Sequence, residues 1–377
     1  MFMNKTVVID TFAIGTFHEM FNAAFVKSLI SAGQEIVYYG TNSSISNQQK
    51  MLSTIDLEKI TYNRVSCILK RGVFGLILRY LYASVICVMT IRKINSNRIV
   101  ILNNNPFLTL LYGLINKNVN IICHGELELI EGKDPGKLAR VMTYLLRRAF
   151  VKEPLPDKFH YLVLGDQILS NLKGKIKDCN LSHFDSIDHP YLFKQLRHDS
   201  NIDEYAKIGI VGITTPTKGL DSLRALMINM PKSTQIFHIG KIDDPSGELK
   251  SMGLNIVPRD ENNELPREKY EAWIRRMDYI LFLYPSTNYR LTASGAIFEC
   301  LSLGVPVISL RNDYFDYIRR KVGDIGFFYD NFESLQKDFG TDKFYNANTA
   351  EFNKSIEKGR VYFSPEFISK NLVAKIR

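Results

Sequence analysis

Apolar positions along the chain fall into two series of short runs, each run followed by residues at helical spacing. Residues 6–10, 35–39, 98–102, 120–123 and 161–164 read as strands, while 19–32, 109–115 and 167–172 carry helical spacing. A second series of the same kind begins at 207–212. It continues with a helix over 219–230, a strand at 235–239, a helix near 269–277, a strand at 279–284, a helix bearing Glu299 and a strand at 305–310. The polar, charged stretch 195–205 separates the series, and 350–377 reads as helix broken at Ser364-Pro365. Strands alternating with helices imply parallel sheets covered on both faces. The expected fold is α/β, with two doubly wound domains over 1–200 and 201–355 and a terminal helix over 356–377. Ligands of such sheets bind at the C-terminal ends of the strands.

One apolar run needs a choice. Residues 73–91 are nearly long enough to span a membrane and are flanked by Lys70-Arg71 and Arg92-Lys93. Arg79 sits inside the run, where a lipid-facing cation is costly, and the alternation requires a helix there, so a packed helix is the expectation.

Composition changes little: 377 residues, 45% apolar and 23% charged, describe a folded two-domain protein. Five scattered cysteines, never at metal-pair spacing, read as free thiols of a reducing compartment, and no secretion signal is legible at the N-terminus. Charge is more telling. Residues 1–200 hold 24 Lys+Arg against 16 Asp+Glu, so +8 of the net +9 lies in the first half. That asymmetry suggests an anionic partner: a membrane leaflet, an anionic substrate or nucleic acid. The stretch 137–152 places Leu138, Val141, Met142, Leu145, Leu146, Ala149 and Phe150 at helical spacing beside Arg140, Arg147, Arg148 and Lys152. It reads equally as a helix packed on the sheet or as a basic helix touching anionic lipid.

The densest chemistry lies in Thr292-Ala293-Ser294-Gly295-Ala296, which opens the helix carrying Glu299. Unpaired N–H groups at a helix start, at the positive end of its dipole, suit a phosphate, and Gly295 lets the phosphate approach. Glu299 lies one turn on, about 6 Å along the same face, where a carboxylate can accept hydrogen bonds from two ribose hydroxyls.

Residues 278–310, with their small-residue loop, Glu-bearing helix and Gly304-Val305-Pro306-Val307-Ile308, resemble the donor-nucleotide segment of GT-B glycosyltransferases. The likeness is greatest to bacterial enzymes that build capsules, O-antigens and exopolysaccharides. Many relatives carry a second glutamate upstream, and here that position is Leu291. The resemblance implies two Rossmann-like domains facing a cleft, with a C-terminal helix crossing back onto the first. It implies a nucleoside-diphosphate sugar as donor, a saccharide or lipid-linked acceptor, no metal or other cofactor, and a cytoplasmic enzyme, peripheral on the inner membrane face.

Under that resemblance, Ser294, Gly295, Thr292, Arg290 and Lys218 would hold the diphosphate. Gly240, at the end of a strand, and Gly15, in the first strand–helix turn, would let the donor approach. His124, in His124-Gly125-Glu126 after a strand, would contact the sugar. His18, Glu19 or Glu126 would be the base for an acceptor hydroxyl. For each, a structural reading competes: Glu19 complements a helix dipole, and Lys218 is a solvated helix opener. A nucleotide-sugar epimerase of the same form would need no acceptor. A nucleic-acid-binding protein rests on the basic half alone, without interleaved aromatic and basic motifs.

Overall fold

The computed structural model describes residues 5–69, 72–132, 136–194, 206–228, 230–231, 234–260 and 265–377. The separating stretch 195–205 lies outside the described residues. The chain divides into two compact units. The first comprises Met1–Leu192, Arg290–Ala293 and Phe363–Arg377; the second comprises Phe193–Tyr289 and Ser294–Tyr362. The sequence boundaries at 200/201 and 355/356 thus differ from the structural ones by several residues.

In the first unit seven parallel strands order as β3-β2-β1-β4-β5-β6-β7. They are β1 (Lys5–Asp10), β2 (Glu35–Gly40), β3 (Ile60–Arg64), β4 (Ile99–Ile101), β5 (Val119–Cys123), β6 (Phe159–Leu164) and β7 (Phe184–Ile187). Central strands are covered on both faces, so β5 and β6 are buried at every residue. Strand order reverses between β1 and β4, which opens a crevice at their C-terminal ends.

Helix Glu19–Ser31 packs after β1, and helix Pro365–Lys375 packs against it, burying Ile368 and Leu372. The apolar run near 73–91 forms helix Gly72–Lys93, laid on the unit by one side. The expected helix over 109–115 is instead 3-10 helix, Pro106–Leu114, capped by the Asn105 side chain accepting from Phe107 N at 3.0 Å. Helix Lys137–Arg147 buries Met142, Leu145 and Leu146, so most of its apolar side is core.

The second unit holds six parallel strands in the order β10-β9-β8-β11-β12-β13. They are β8 (Ala206–Thr214), β9 (Thr234–Ile242), β10 (Asn255–Ile256), β11 (Tyr279–Phe282), β12 (Val307–Leu310) and β13 (Gly326–Tyr329). Its order reverses between β8 and β11, and its core includes Ile208, Leu223, Leu281 and Ile308, all nearly inaccessible.

Candidate functional site

In the second unit, helix Gly295–Leu303 begins at Ser294, whose backbone is extended and whose side chain makes no capping hydrogen bond. The Ser294 Oγ is buried without a partner. A Cβ added at Gly295 would meet nothing within 4 Å, so the space before the helix start is open. A buried hydroxyl without a partner beside unpaired N–H groups is a polar vacancy that a phosphate oxygen would satisfy.

Glu299 lies one turn along, buried, and both carboxylate oxygens are held by Arg267. Nη1 donates to Oε1 at 2.8 Å and Nη2 to Oε2 at 2.6 Å. Arg267 Nε also donates to Glu271 Oε1 at 2.6 Å, and Lys194 Nζ donates to both Glu271 oxygens at 2.7 and 2.8 Å. Burial raises the Glu271 carboxyl, but the Lys194 and Arg267 bonds outweigh it and hold the group below the usual range. A carboxylate open to a ribose was the sequence expectation. The structure gives one already paired, so a ribose at Glu299 must share it with Arg267 or displace it.

At the β8 end, the turn Pro216–Lys218 leads through Gly219 into helix Leu220–Ile228. Gly219 has φ +85°, and a Cβ there would stand 2.4 Å from the Leu283 carbonyl oxygen, so only glycine seats this turn against the chain leaving β11. Lys218 lines the small cleft formed by Thr214, Gly219, Leu283 and Tyr284. Burial depresses the affinity of its amine for a proton, and among the described residues it has no ion-pair partner. A half-buried ammonium of this kind gains most from an anion. Gly240 is not in a loop. It lies within β9, opposite Gly212, where a Cβ would fall 1.9 Å from the Gly212 carbonyl oxygen. Close strand approach accounts for that glycine.

In the first unit the crevice between β1 and β4 gathers three histidines. The His18 and His124 rings lie 3.9 Å apart, and Phe21 touches His124 and His189 edge-on at 4.6 and 4.9 Å. His124 Nε2 donates to the Leu102 carbonyl at 2.9 Å when it carries the proton. Burial lowers all three: His18 to about 4, His189 to about 3, and His124 well below its ordinary value, with the neighbouring His18 adding to the effect. They are therefore neutral near pH 7.

His18 is held in left-handed backbone, φ 53°, and its Nδ1 is buried without a partner. Tyr289, φ 58°, is the other non-glycine residue in this region among the described residues, and such strain gathers at functional sites. Asp10, at the end of β1, escaped the sequence reading. It is fully buried and accepts from Ala13 N at 3.1 Å, Asn22 at 3.0 Å, Tyr38 at 3.2 Å, Asn103 at 3.2 Å and Ser44 Oγ. Burial raises its carboxyl despite these bonds. Asn103 also hydrogen-bonds His18, so Asp10 fixes the loop on which His18 stands. Gly15, φ +62°, takes the exposed turn of that loop and accepts from Asn47 at 2.7 Å. Glu19 opens helix Glu19–Ser31, half-buried.

The Glu126 carboxylate turns inward rather than outward. Oε2 accepts from the His124 N–H at 3.1 Å and Oε1 is buried without a partner, so burial raises the group. Arg290 and Thr292 belong with these first-unit residues, whereas Ser294, Gly295 and Glu299 belong to the second unit. Thr292 Oγ1 donates to the His124 carbonyl at 2.8 Å, Leu291 N to Glu128 Oε1 at 2.8 Å, and Asn171 to the Arg290 carbonyl at 2.9 Å. Gly125 makes room for Thr292: a Cβ would lie 2.9 Å from its hydroxyl. Leu291, where the resemblance would place the upstream glutamate of the pair, is wholly buried. Among the described residues no group of His, Cys, Asp and Glu is arranged to hold a metal ion.

No protein-family profile and no curated protein sequence matches the chain. Solved structures do. HepE of Anabaena, in complex with UDP and glucose, superimposes with TM-score 0.64 at 11% identity over 98% of both chains. The chain has the GT-B fold. The lipopolysaccharide outer core galactosyltransferase WaaB aligns with TM-score 0.57, and TarM of S. aureus, solved with UDP, with TM-score 0.61, each at 11% identity over 99% of both chains. Within the GT-B fold the two strand-order reversals, at β1/β4 and β8/β11, are the places where each unit can receive a ligand.

Proposed function

We propose that the protein is a glycosyltransferase that moves a sugar, of the hexose class, from a nucleoside-diphosphate donor to a saccharide hydroxyl. The observation that carries this reading is the start of helix Gly295–Leu303: open space at Gly295, the buried Ser294 hydroxyl without a partner, and Glu299 one turn on. HepE, with the same fold, has been solved with UDP-glucose, which supports the choice of donor. Ser294, Gly295 and Lys218 would take the diphosphate, its charge neutralised by the helix start and the half-buried ammonium rather than by a metal.

Glu299 would accept from the ribose, with Arg267 as its competing partner. His124 is our candidate for contact with the sugar. In the first unit His18 is the candidate base, being neutral, strained and free at Nδ1; Glu126, turned inward, is the weaker choice. The acceptor we favour is part of a surface polysaccharide carried on lipid, so that the enzyme works at the cytoplasmic face of a membrane.

The test is a panel of nucleoside-diphosphate sugars incubated with the protein in excess EDTA, with and without saccharide acceptors. Acceptor-dependent release of nucleoside diphosphate is expected. Release without any acceptor would favour an epimerase, and strict dependence on added manganese or magnesium would defeat the metal-independent mechanism.

A further inference from the structure

Helix Gly72–Lys93 is apolar on the side it buries, at Ala83, Cys87, Val88 and Ile91, and apolar again on the side it exposes. Its inner side is bonded to the first unit. Thr11 Oγ1 donates to the Ala83 carbonyl at 3.0 Å, and Asn105 Nδ2 donates to the Tyr80 carbonyl at 2.7 Å and to Ser84 Oγ at 2.8 Å. Tyr80 stacks on Phe12 at 4.4 Å, and the Arg79 guanidinium lies 4.9 Å from the same ring. That accounts for a cation within an apolar helix, and these ties make the helix one that lies on its unit rather than one that crosses a bilayer.

The outward side reads Phe74, Leu78, Leu81, Val85, Met89, then Arg92, at spacings of three and four that keep one stripe. Phe74 is 70% exposed, Val85 46% and Met89 48%. The 3-10 helix Pro106–Leu114 packs between this helix and helix Lys137–Arg147, and it adds exposed Leu110 and Leu114; Val141 and Tyr144 are exposed on the latter helix.

Charge says what covers this face. From Lys59 through Gly125 the chain carries nine Lys and Arg and no Asp or Glu. An apolar stripe ending in exposed Arg92 and Lys93, set in a segment without one acid, matches a surface that is anionic outside and apolar beneath. We propose that helix Gly72–Lys93, with the exposed residues of Pro106–Leu114, seats the first unit on a bilayer bearing acidic headgroups. The buried apolar side of helix Lys137–Arg147 leaves that helix only a flanking, electrostatic part. Thr11 and Phe12, which hold the docked helix, begin the loop that carries Gly15 and His18. A lipid-borne acceptor would therefore meet that loop close to the headgroups. The inference rests on the membrane location proposed above and not on the transfer reaction.

Co-sedimentation tests it, with vesicles of phosphatidylcholine alone or mixed with phosphatidylglycerol. The wild type should pellet with the mixed vesicles, less so in high salt and weakly with phosphatidylcholine alone. The variant Phe74→Gln/Val85→Gln/Met89→Gln should bind on the order of tenfold more weakly, while turnover on a water-soluble acceptor is unchanged. Separately, Met89→Trp should give a blue-shifted emission, quenched by brominated acyl chains, when mixed vesicles are added. That readout stands even if the triple variant folds poorly. Equal pelleting of triple variant and wild type, no pelleting of the wild type, or unshifted Met89→Trp emission overturns the proposal. So does a wild-type dimer that the triple variant dissolves without either binding vesicles, since the face would then meet a second copy. Absence of turnover by the wild type on the soluble acceptor, with vesicle binding intact, would instead count against the transfer reading and leave the docking proposal standing.

Discussion

Replacing Glu299 by Gln separates two jobs that the structure gives one carboxylate. The change removes a charge and turns an amide N–H₂ toward the Arg267 fork, so at least one of the two bonds, 2.8 and 2.6 Å, is lost. A hydrogen bond to a charged group contributes about 1.5–3 kcal/mol. Arg267 keeps its 2.6 Å bond to Glu271, and its side chain is 27% exposed against 11% for Glu299, so water softens the loss. A stability decrease of roughly 1–2 kcal/mol is expected. If Glu299 also accepts from a ribose, nucleotide binding in the wild type must loosen the Arg267 pair, which offsets part of the gain. The net loss of affinity on substitution is then about 1.5 kcal/mol, or tenfold in Kd. Urea unfolding measures the first quantity and calorimetric titration with nucleoside diphosphates the second. A folded Glu299→Gln protein that binds within about twofold of wild type refutes the ribose role and leaves Glu299 as the anchor of Arg267.

Lys218→Ala should reduce turnover by about a hundredfold or more while changing urea stability by under about 1 kcal/mol; wild-type rates would make the lysine an idle helix opener. Gly219→Ala should lose about 2–4 kcal/mol, because it demands φ +85° and meets the Leu283 carbonyl at 2.4 Å; an unchanged unfolding midpoint would count against this packing. His18, His124 and His189 have folded values below their unfolded value of about 6.5, so the unfolded chain binds more protons between that pH and about 4, the folded value of His18. Stability should fall as pH drops through this window. Asp10 and Glu126, raised by burial, act in the opposite sense. The clean measurement is therefore the difference between wild type and His189→Phe across the window, and a variant just as acid-sensitive as wild type would refute the assignment.

The doubly wound architecture was legible because central strands of a parallel sheet are buried on both faces and leave unbroken apolar runs in the sequence. The edge strands were not. Ile60–Arg64 and Phe184–Ile187 alternate with polar residues, Asn255–Ile256 is two residues long, and Gly326–Tyr329 begins with a glycine needed for close approach to Val307. The helix start at Ser294 could be read locally, since a small-residue loop before a helix is a short-range signal. Arg267 could not, because its partner Glu299 is 32 residues away and only the folded chain brings them together; its one local clue was the Arg267/Glu271 spacing along a helix. Asp10 looked like the last residue of a strand. Its donors arrive from loops, two helices and the neighbouring strand β2, up to 93 positions distant.

The last helix of the first unit, Pro365–Lys375, follows the whole second unit in the chain. Lys375 reaches Asp185 at 2.6 Å, and Arg377 exchanges backbone hydrogen bonds with the Asn120 side chain at 2.8 and 2.9 Å, at the interior strand β5. On the ribosome, then, the first unit waits unfinished through the synthesis of 170 further residues, Phe193–Tyr362, with the outer side of helix Glu19–Ser31 uncovered. Its order of birth is not its order of completion. A protein clipped after Tyr362 would keep every candidate site residue and still lack the piece that closes the unit bearing His18.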